Sequence, residues 1–295
     1  MDYIIDKKQD KLVLRSFLRK TLGLSSRLVK KLKKHRSSIL VNGEHADVTR
    51  ILNENDIVSL DFADKMEDIN EHLKAVDIPI NVIYEDENYT IVNKNASMPT
   101  HQSLFHYDDT LANALAFRYR ERPYVFRAIN RLDMDTSGIV VTANNMLYAD
   151  ILCEKLQNGC FHKEYIAIVR GRVECDGEID APIARIGDSI IERAVLPNGE
   201  RAITRYKTLA CSDDASVLLV LPVTGRTHQI RVHMAYIGHP IIGDSLYGEK
   251  SEHISRQALH ASKLTIDGIG EFVAKLPEDM QNLIRRYFGD YEIFS

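Results

Sequence analysis

The sequence predicts an α+β fold: a large domain on a largely antiparallel mixed sheet with flanking helices, preceded by a small α/β domain. Its 295 residues exceed the common size of one domain, which favours one large and one small unit. Beyond residue 79, short β-rich runs dominate, and most connections between them are too short for regular βαβ crossovers. We therefore place the small domain at residues 1–62, a linker at 63–79 and the large domain at 80–295.

The small domain is predicted to begin with two short helices followed by a hairpin. Gly23 ends the first helical pattern, and Ser25 or Ser26 can cap the second. Strands are predicted at residues 39–44 and 56–60, and Asn-Gly at 42–43 is a strong hairpin-turn signal. The apolar positions at helical spacing are Leu14, Phe17, Leu18 and Leu22 in the first helix and Leu28, Val29 and Leu32 in the second.

Positive charge is concentrated in this small domain, although the whole chain has a formal net charge of -4. Lysine and arginine recur throughout residues 7–36, whereas Asp10 is the one acid in that interval. Such an asymmetry is typical of a surface that binds a polyanion. A solvated charged face would explain the lysines but not the order of helix, helix and hairpin. The expected binding residues are Lys30, Lys31, Lys33 and Lys34.

The remainder of the chain alternates strands with occasional helices after an acid-rich segment without apolar periodicity, which reads as the linker. One helical pattern, carrying Leu147, Ile151, Leu152 and Leu156, ends near Gly159. The predicted strands of the large domain lie at residues 82–84, 89–92, 139–142, 165–169, 205–209 and 217–221.

A loop directly before one of these strands carries the first candidate for chemistry. Residues 130–138 read Asn-Arg-Leu-Asp-Met-Asp-Thr-Ser-Gly, so Asp133 lies between an arginine and a Thr-Ser-Gly turn. A loop braced by a strand can hold a polar group outside the core in a fixed position. From this loop alone, an aspartate that accepts backbone hydrogen bonds in a turn is the better interpretation.

Motifs elsewhere in the chain change that interpretation. The loop resembles the central motif of the RluA-type pseudouridine synthases, His-Arg-Leu-Asp-x-x-Thr-Ser-Gly, with Asn130 in place of the histidine. The small domain is similar to the S4-like RNA-binding domain that this family often carries at its N-terminus. The other matching motifs follow in the family's order: a hairpin at 82–94, a tyrosine-bearing strand at 163–171, Gly-Arg-Thr-His-Gln-Ile-Arg-Val-His at 225–233, Gly-His-Pro-Ile-Ile-Gly-Asp at 238–244 and Leu-His-Ala at 259–261.

The resemblance implies an enzyme that isomerises uridine in RNA to pseudouridine. It assigns the reactive carboxylate to Asp133 and a base or stacking phenol beside the ring to Tyr165. Arg226 is implied to pair with the carboxylate, as a guanidinium can do in a bidentate geometry. Arg131 is implied to stabilise the gap left by the extruded base, and Arg231 to brace the site or contact phosphate. Whether the carboxylate attacks ribose C1′ or assists loss of the 2′ proton stays open.

No cofactor and no metal are expected, because this reaction needs neither and the histidines match no zinc-ligand spacing. The four cysteines show no Cys-x-x-Cys pair, which indicates reduced thiols. No apolar run approaches the roughly 20 residues that span a bilayer, and the N-terminus lacks the pattern of a secretory signal. We expect a cytoplasmic monomer without an obligate protein partner, whose ligand is RNA.

Two departures from the family pattern leave alternatives open: Asn130, and Lys-Asn-Ala-Ser at residues 94–97 where Lys-Pro-Ala-Gly is common. The leading hypothesis is a modifier of structured RNA, with large-subunit ribosomal RNA favoured and transfer RNA the alternative. A catalytically impaired RNA-binding or ribosome assembly factor on the same fold is the second. A glycoside hydrolase is the third, but that class usually needs two flanking acids and sugar-stacking aromatics, and this chain has no tryptophan.

Overall fold

The N-terminal part of the chain is a small antiparallel sheet covered by short helical segments. A computed structural model describes residues 1–187, 189 and 191–289. Helix α1 (Leu14–Ser16) continues into a π-helical turn, Phe17–Thr21, and α2 spans Ser26–Leu32. In spatial order, the strands are β1 (Asp2–Ile4), β4 (Ile57–Leu60), β2 (Ile39–Val41) and β3 (Glu44–His45).

Local signals in this part of the sequence are confirmed. Ser25 caps α2 by accepting a hydrogen bond from the backbone N–H of Leu28 at 3.0 Å. Asn42 and Gly43 have φ values of 55° and 80°, which is the left-handed pair that a tight hairpin turn requires. Except for the half-buried Leu22, the apolar residues predicted for the two helices are buried in one core with the sheet.

The rest of the described chain is organised around one nine-stranded sheet. In spatial order, its strands are β5 (Asn81–Glu85), β6 (Tyr89–Lys94), β7 (Ser137–Ala143), β14 (Leu259–Ile266), β8 (Phe161–Arg170), β13 (Ala215–Pro222), β12 (Ile203–Cys211) and β9 (Gly177–Asp180), with β15 (Gly270–Val273) paired to β14. Within the described residues, β7 and β14 form the parallel pair and the other neighbours are antiparallel.

Within the residues that the structure describes, four helices and a separate hairpin complete the fold. Helix α4 ends two residues before Gly159, as the sequence predicts, and all six predicted strand segments lie within observed strands. The largely antiparallel mixed sheet with flanking helices is therefore confirmed. The helices are α3 (Leu111–Arg118), α4 (Met146–Gln157), α5 (Gln229–Tyr236) and α6 (Glu278–Phe288), and the hairpin is β10 (Ile183–Arg185) with β11 (Arg193–Val195).

The register of the central strands brings distant motifs into one row. Lys94 pairs with Gly138, Gly138 with Ala261, and Ala261 with Tyr165. The row therefore crosses β6, β7, β14 and β8. Because the loop of residues 130–136 leads directly into β7, this register places it beside the tyrosine-bearing strand.

The segment predicted as a linker makes specific contacts with residues that follow it in the chain. Asp64 is buried and pairs with Arg127, whose Nη1 donates to the carboxylate at 2.9 Å. Met66–Asp68 form one turn of 3-10 helix. A second connection runs through α4, where Asp150 accepts from the backbone N–H of Ser25 at 2.8 Å. No helix within the described ranges is long and apolar enough to cross a membrane.

Candidate active site

A cavity of about 640 Å³ lies where the loop before β7 meets β8 and the entrance to α5. This volume is in the range of small-molecule and cofactor sites. Its lining includes all five residues of the large domain that the sequence singles out: Arg131, Asp133, Tyr165, Arg226 and Arg231. The fold therefore brings together residues that are up to 100 positions apart in the chain.

Close packing fixes the loop that carries Asp133. The backbone carbonyl of Asp133 accepts a hydrogen bond from the N–H of Thr136 at 3.1 Å. The side chain of Ser137 shares a hydrogen bond of 2.9 Å with His260. Gly138 has a φ of 115°, and a β-carbon there would lie 2.3 Å from the carbonyl oxygen of Ala261. Only glycine fits between β7 and β14 at this point. The Thr-Ser-Gly part of the motif is thus a packing requirement that positions the aspartate.

Asn130, the departure from the family motif, is a buried connection between this loop and β7. Its side-chain amide donates to the carbonyl of Ile139 at 3.0 Å, and its side-chain oxygen accepts from the N–H of Val141 at 2.8 Å. The residue therefore supplies both a donor and an acceptor to the strand backbone. Its amide is used to hold the loop in place.

Lys94, at the end of β6, holds the same loop by hydrogen bonds. Its amine is fully buried and donates to three backbone carbonyls, those of Asn95, Met98 and Met134, at 2.8 to 3.0 Å. Burial lowers the pKa of this amine to about 7, against the opposing effect of Asp135 and Asp133. The lysine thereby ties the end of β6 to the residue that follows Asp133.

The guanidinium that pairs with Asp133 belongs to Arg231, which corrects the assignment of this contact to Arg226. Nη1 of Arg231 donates to Oδ2 of Asp133 at 3.1 Å. Its Nε and Nη2 donate to the buried carboxylate of Asp244 at 2.7 and 2.8 Å. Burial alone would lower the pKa of Arg231, but its hydrogen bonds to Asp244 and Asp133 outweigh this and raise it.

Arg226 lies at the exposed rim of the cavity. Its Nε donates to the carbonyl of Arg201 at 3.1 Å, and its Nη1 pairs with Glu200. The two arginines have different partners because α5 begins between them. Arg226 precedes the helix, whereas Arg231 lies in its first turn. The N-cap of α5 is His228, which is in a left-handed conformation with φ of 56°.

A second polar chain ends at Asp133. The hydroxyl of Tyr247 accepts a hydrogen bond from the backbone N–H of Arg193 at 3.0 Å and shares a hydrogen bond of 2.8 Å with Nδ1 of His228. Nε2 of His228 lies 3.9 Å from Oδ2 of Asp133. Burial lowers the pKa of His228, helped by Arg231 and opposed by Asp133.

Tyr165 forms another wall of the cavity. Its side chain is buried on β8, and burial together with the negative charge of Asp133 raises the pKa of its hydroxyl. Lys163, two residues earlier on the same strand, also lines the cavity, and burial lowers its pKa. Because its pKa is raised, the phenol of Tyr165 is protonated at neutral pH.

Comparisons with known proteins identify the family of this chain. Residues 88–236, which contain both Asp133 and Arg231, match the family described as RNA pseudouridylate synthase. The chain is 38% identical over 272 residues to the uncharacterized RNA pseudouridine synthase YjbO of Bacillus subtilis, an alignment that covers 90% of this chain and 95% of that protein. The chain belongs to the RNA pseudouridylate synthase family.

Other relatives of this synthase agree. It is 37% identical over 237 residues to ribosomal large subunit pseudouridine synthase D of Escherichia coli, covering 73% of each chain. Among solved structures, human RNA pseudouridylate synthase domain containing 1 superposes with a TM-score of 0.56 at 28% identity, covering 68% of this chain and 83% of that one. A second human protein, domain containing 4, shares the fold with a TM-score of 0.59.

Four histidines of the synthase form hydrogen bonds within the protein, and its cysteines form no disulfide in the described residues. His228, His233, His239 and His260 each make a ring hydrogen bond within the protein. All four cysteines are free thiols. In the described part of the chain, no three His, Cys, Asp or Glu residues are grouped as metal ligands would be.

The four predicted lysines lie away from the cavity, in and just after α2. Lys30, Lys33 and Lys34 are exposed, whereas Lys31 is half-buried, and burial and the nearby Arg127 lower its pKa. The sequence reasoning missed His228 and Tyr247 as neighbours of the carboxylate. His228 was visible within the arginine motif, but Tyr247 lies outside every motif, and only the folded chain brings it near.

Proposed function

We propose that this synthase converts specific uridines of structured RNA to pseudouridine and that its substrate is large-subunit ribosomal RNA. The observation that carries the proposal is the Asp133 carboxylate held by Arg231 in a cavity also lined by Tyr165. Relatives named as ribosomal large subunit pseudouridine synthases support the substrate class. Transfer RNA is the alternative substrate.

Asp133 is assigned the reactive role. The reaction breaks the bond between ribose C1′ and N1 of uracil, rotates the base and joins C5 to C1′, while one proton leaves C5 and one is taken up at N1. No atom is gained or lost. A carboxylate serves this chemistry by attacking C1′ or by accepting the 2′ proton. In either role, Arg231 orients the carboxylate and Asp244 holds Arg231 in place.

Tyr165 is assigned a stacking role. The raised pKa keeps its hydroxyl protonated at neutral pH, so the ring acts as a platform and hydrogen-bonding phenol beside the base. The C5 proton then passes to the carboxylate of Asp133, which is free again once C5 has joined C1′. Arg131 and Arg226, both exposed at the cavity, are assigned to the RNA backbone and to the gap left by the extruded base.

The N-terminal sheet and helices are assigned to RNA binding as an S4-like domain. The exposed Lys30, Lys33 and Lys34 supply positive charge for phosphate, and the contact between Asp150 and Ser25 keeps this part of the chain against α4. The proposal includes action as a cytoplasmic monomer without cofactor.

The catalytically impaired RNA-binding factor gains no support from Asn130. Its side chain satisfies two backbone groups of β7 and so preserves the loop geometry that the reaction needs. A protein that only binds RNA would not need a carboxylate held by a buried guanidinium at the base of the cavity.

Mapping of pseudouridine across total RNA tests the proposal. Cells lacking the protein are complemented with the wild type or with Asp133→Asn, which keeps the size of the side chain. We expect specific uridines of large-subunit ribosomal RNA to regain modification only with the wild type. Release of tritium from RNA labelled at uridine C5 provides the same test with purified protein. If the pseudouridine content of every RNA is the same with and without the protein, the non-catalytic alternative remains.

A further inference from the structure

An exposed apolar tip projects from the wall of the cavity. Leu104, Phe105 and Tyr107 are 69%, 83% and 57% exposed. Phe105 also has a φ of 72°, a conformation that is rare and strained for a bulky residue. Aromatic side chains usually bury their large apolar surface. A strained and exposed phenylalanine therefore indicates a contact that the isolated chain does not make.

The base of this tip is firmly held, so its exposure is not that of a loose loop. Ser103 and His106 exchange both backbone hydrogen bonds at 3.0 Å, which makes Leu104 and Phe105 the two residues of a tight turn. The carbonyl of Tyr107 accepts from Gln102 at 2.8 Å and from Asn113 at 3.0 Å. The tip is thus presented on a fixed support.

The tip stands next to the proposed reaction site. Pro99 to Ser103 line the cavity that contains Asp133, and Phe105 follows Ser103 by two positions, a span of at most about 7 Å along the backbone. Behind the same wall is a second cavity of about 450 Å³ that shares His101 and Gln102 with the first. Arg120, Arg122 and Phe126 line it.

The charges around the tip suit RNA. The exposed guanidiniums of Arg131, Arg120 and Arg122 lie along the two cavities. Of the nearby acids, Asp108 pairs with Lys74 at 2.7 Å, and Asp109 shares a hydrogen bond of 2.6 Å with Nδ1 of His106. Arginine beside exposed aromatic and apolar side chains is the combination that binds unstacked bases with their phosphates.

We propose that the turn at Leu104 and Phe105 is an RNA-contacting element in which the Phe105 ring stacks on an unpaired base flanking the uridine in the cavity. This inference rests on the proposed function, because it takes the occupant of the cavity to be a nucleotide of RNA. The turn supplies affinity and positions the strand, while Asp133 performs the chemistry.

The absence of tryptophan from the chain allows a direct test. In Phe105→Trp, the single indole reports on the tip alone, and stacking on a base quenches its emission. Val273→Trp is the matched control, since Val273 is 60% exposed on β15 and lines neither cavity. Each variant is titrated with transcribed large-subunit ribosomal RNA and with transfer RNA, while filter retention reports binding independently.

We expect RNA to quench Phe105→Trp and to leave Val273→Trp unchanged. In addition, Phe105→Ala should bind RNA about tenfold more weakly, as loss of one base-aromatic stack implies, with Phe105→Tyr close to the wild type. Thermal unfolding checks that the variants are folded. Unchanged emission of Phe105→Trp in RNA that is bound, or wild-type affinity of Phe105→Ala, would overturn the inference.

The test separates this inference from the proposed function. If the wild type modifies no uridine but RNA still quenches Phe105→Trp, the proposed function fails and the tip remains an RNA contact. If the wild type modifies uridines and Phe105→Ala does so with unchanged affinity, the function stands and the role of the tip is wrong.

Discussion

Arg231 donates from Nη1 to Oδ2 of Asp133 at 3.1 Å, although the two residues are 98 positions apart in the sequence. The same guanidinium is anchored on its other side by Asp244, at 2.7 and 2.8 Å. Because Asp244 fixes the plane of the guanidinium, the direction of the hydrogen bond to Asp133 is fixed as well. This arrangement gives the carboxylate a defined orientation before RNA binds.

Substitutions of the two arginines in the motif should separate their roles. Arg231→Lys keeps the charge but loses the fork that bridges Asp133 and Asp244, so we expect single-turnover tritium release to fall by about 100-fold or more. Arg226→Ala should keep a rate within a few-fold and act mainly on RNA affinity. The opposite ranking of the two variants would restore Arg226 as the partner of the carboxylate.

Tyr247→Phe tests the chain that reaches Asp133 through His228. The ring of Tyr247 still packs against Arg231, whose guanidinium carbon lies 5.0 Å from it, while the hydrogen bond that orients His228 is lost. We expect the single-turnover rate to fall by about tenfold, comparable to the loss of one hydrogen bond, with unchanged RNA affinity. Tyr236→Phe, at the exposed end of α5, is the control. Equal rates for both variants would show that the hydrogen bond between Tyr247 and His228 does not contribute to the reaction.

Lys94 should make the stability of the protein depend on pH. Its pKa is about 7 in the folded protein and 10.5 ordinarily, so between these values the unfolded chain binds a proton that the native state does not. The free energy of unfolding therefore rises with pH in this window, by up to about 1.4 kcal/mol per pH unit, and the full cost of burial is present below pH 7.

Denaturant unfolding from pH 7 to 10 measures this slope. We expect Lys94→Met to be less stable than the wild type at pH 9, because the two N–H groups of the neutral amine no longer reach the carbonyls of Asn95, Met98 and Met134, and to lack the added slope. Lys207→Met, a substitution of an exposed lysine, is the control. Coinciding slopes for the wild type and Lys94→Met would show that the amine is protonated throughout the window.

The basic surface around α2 should determine the salt dependence of RNA binding. Replacing Lys30, Lys33 and Lys34 with glutamine should weaken binding and reduce the slope of log K against log salt by about 0.7 to 0.9 for each phosphate that these lysines neutralise in the wild type. Adding Lys31→Gln should change little, since this amine is half-buried beside Arg127. Lys207→Gln with Lys275→Gln serves as the control. An unchanged slope would exclude this surface.

The elements that could be predicted from sequence are those set by local rules. The N-cap of α2, the Asn-Gly turn and the end of α4 near Gly159 follow from residues within a few positions of each other. The strand segments follow from β-rich composition. Asp133 and Tyr165 were found because they lie inside recognisable motifs, and both line the cavity.

The pairing of charged groups could not be predicted in the same way. Arg226 and Arg231 lie five positions apart in one motif, and the sequence does not show that α5 begins between them. The choice depends on the left-handed residue at His228 and on Asp244, which holds Arg231 from a later loop. The burial of Asp64 against Arg127, within a segment that reads as a linker, is likewise a tertiary contact.

The sequence by itself determined the fold class, the order of the elements and the motif residues that the cavity would contain, because backbone propensities and turn chemistry act over short distances. Only the tertiary structure decided which arginine holds the carboxylate, why Asn130 fits at its position, and where Tyr247 and Phe105 stand. These outcomes depend on strand register, on burial and on distances between side chains far apart in the chain, and they exist only once β7, β14 and β8 lie side by side.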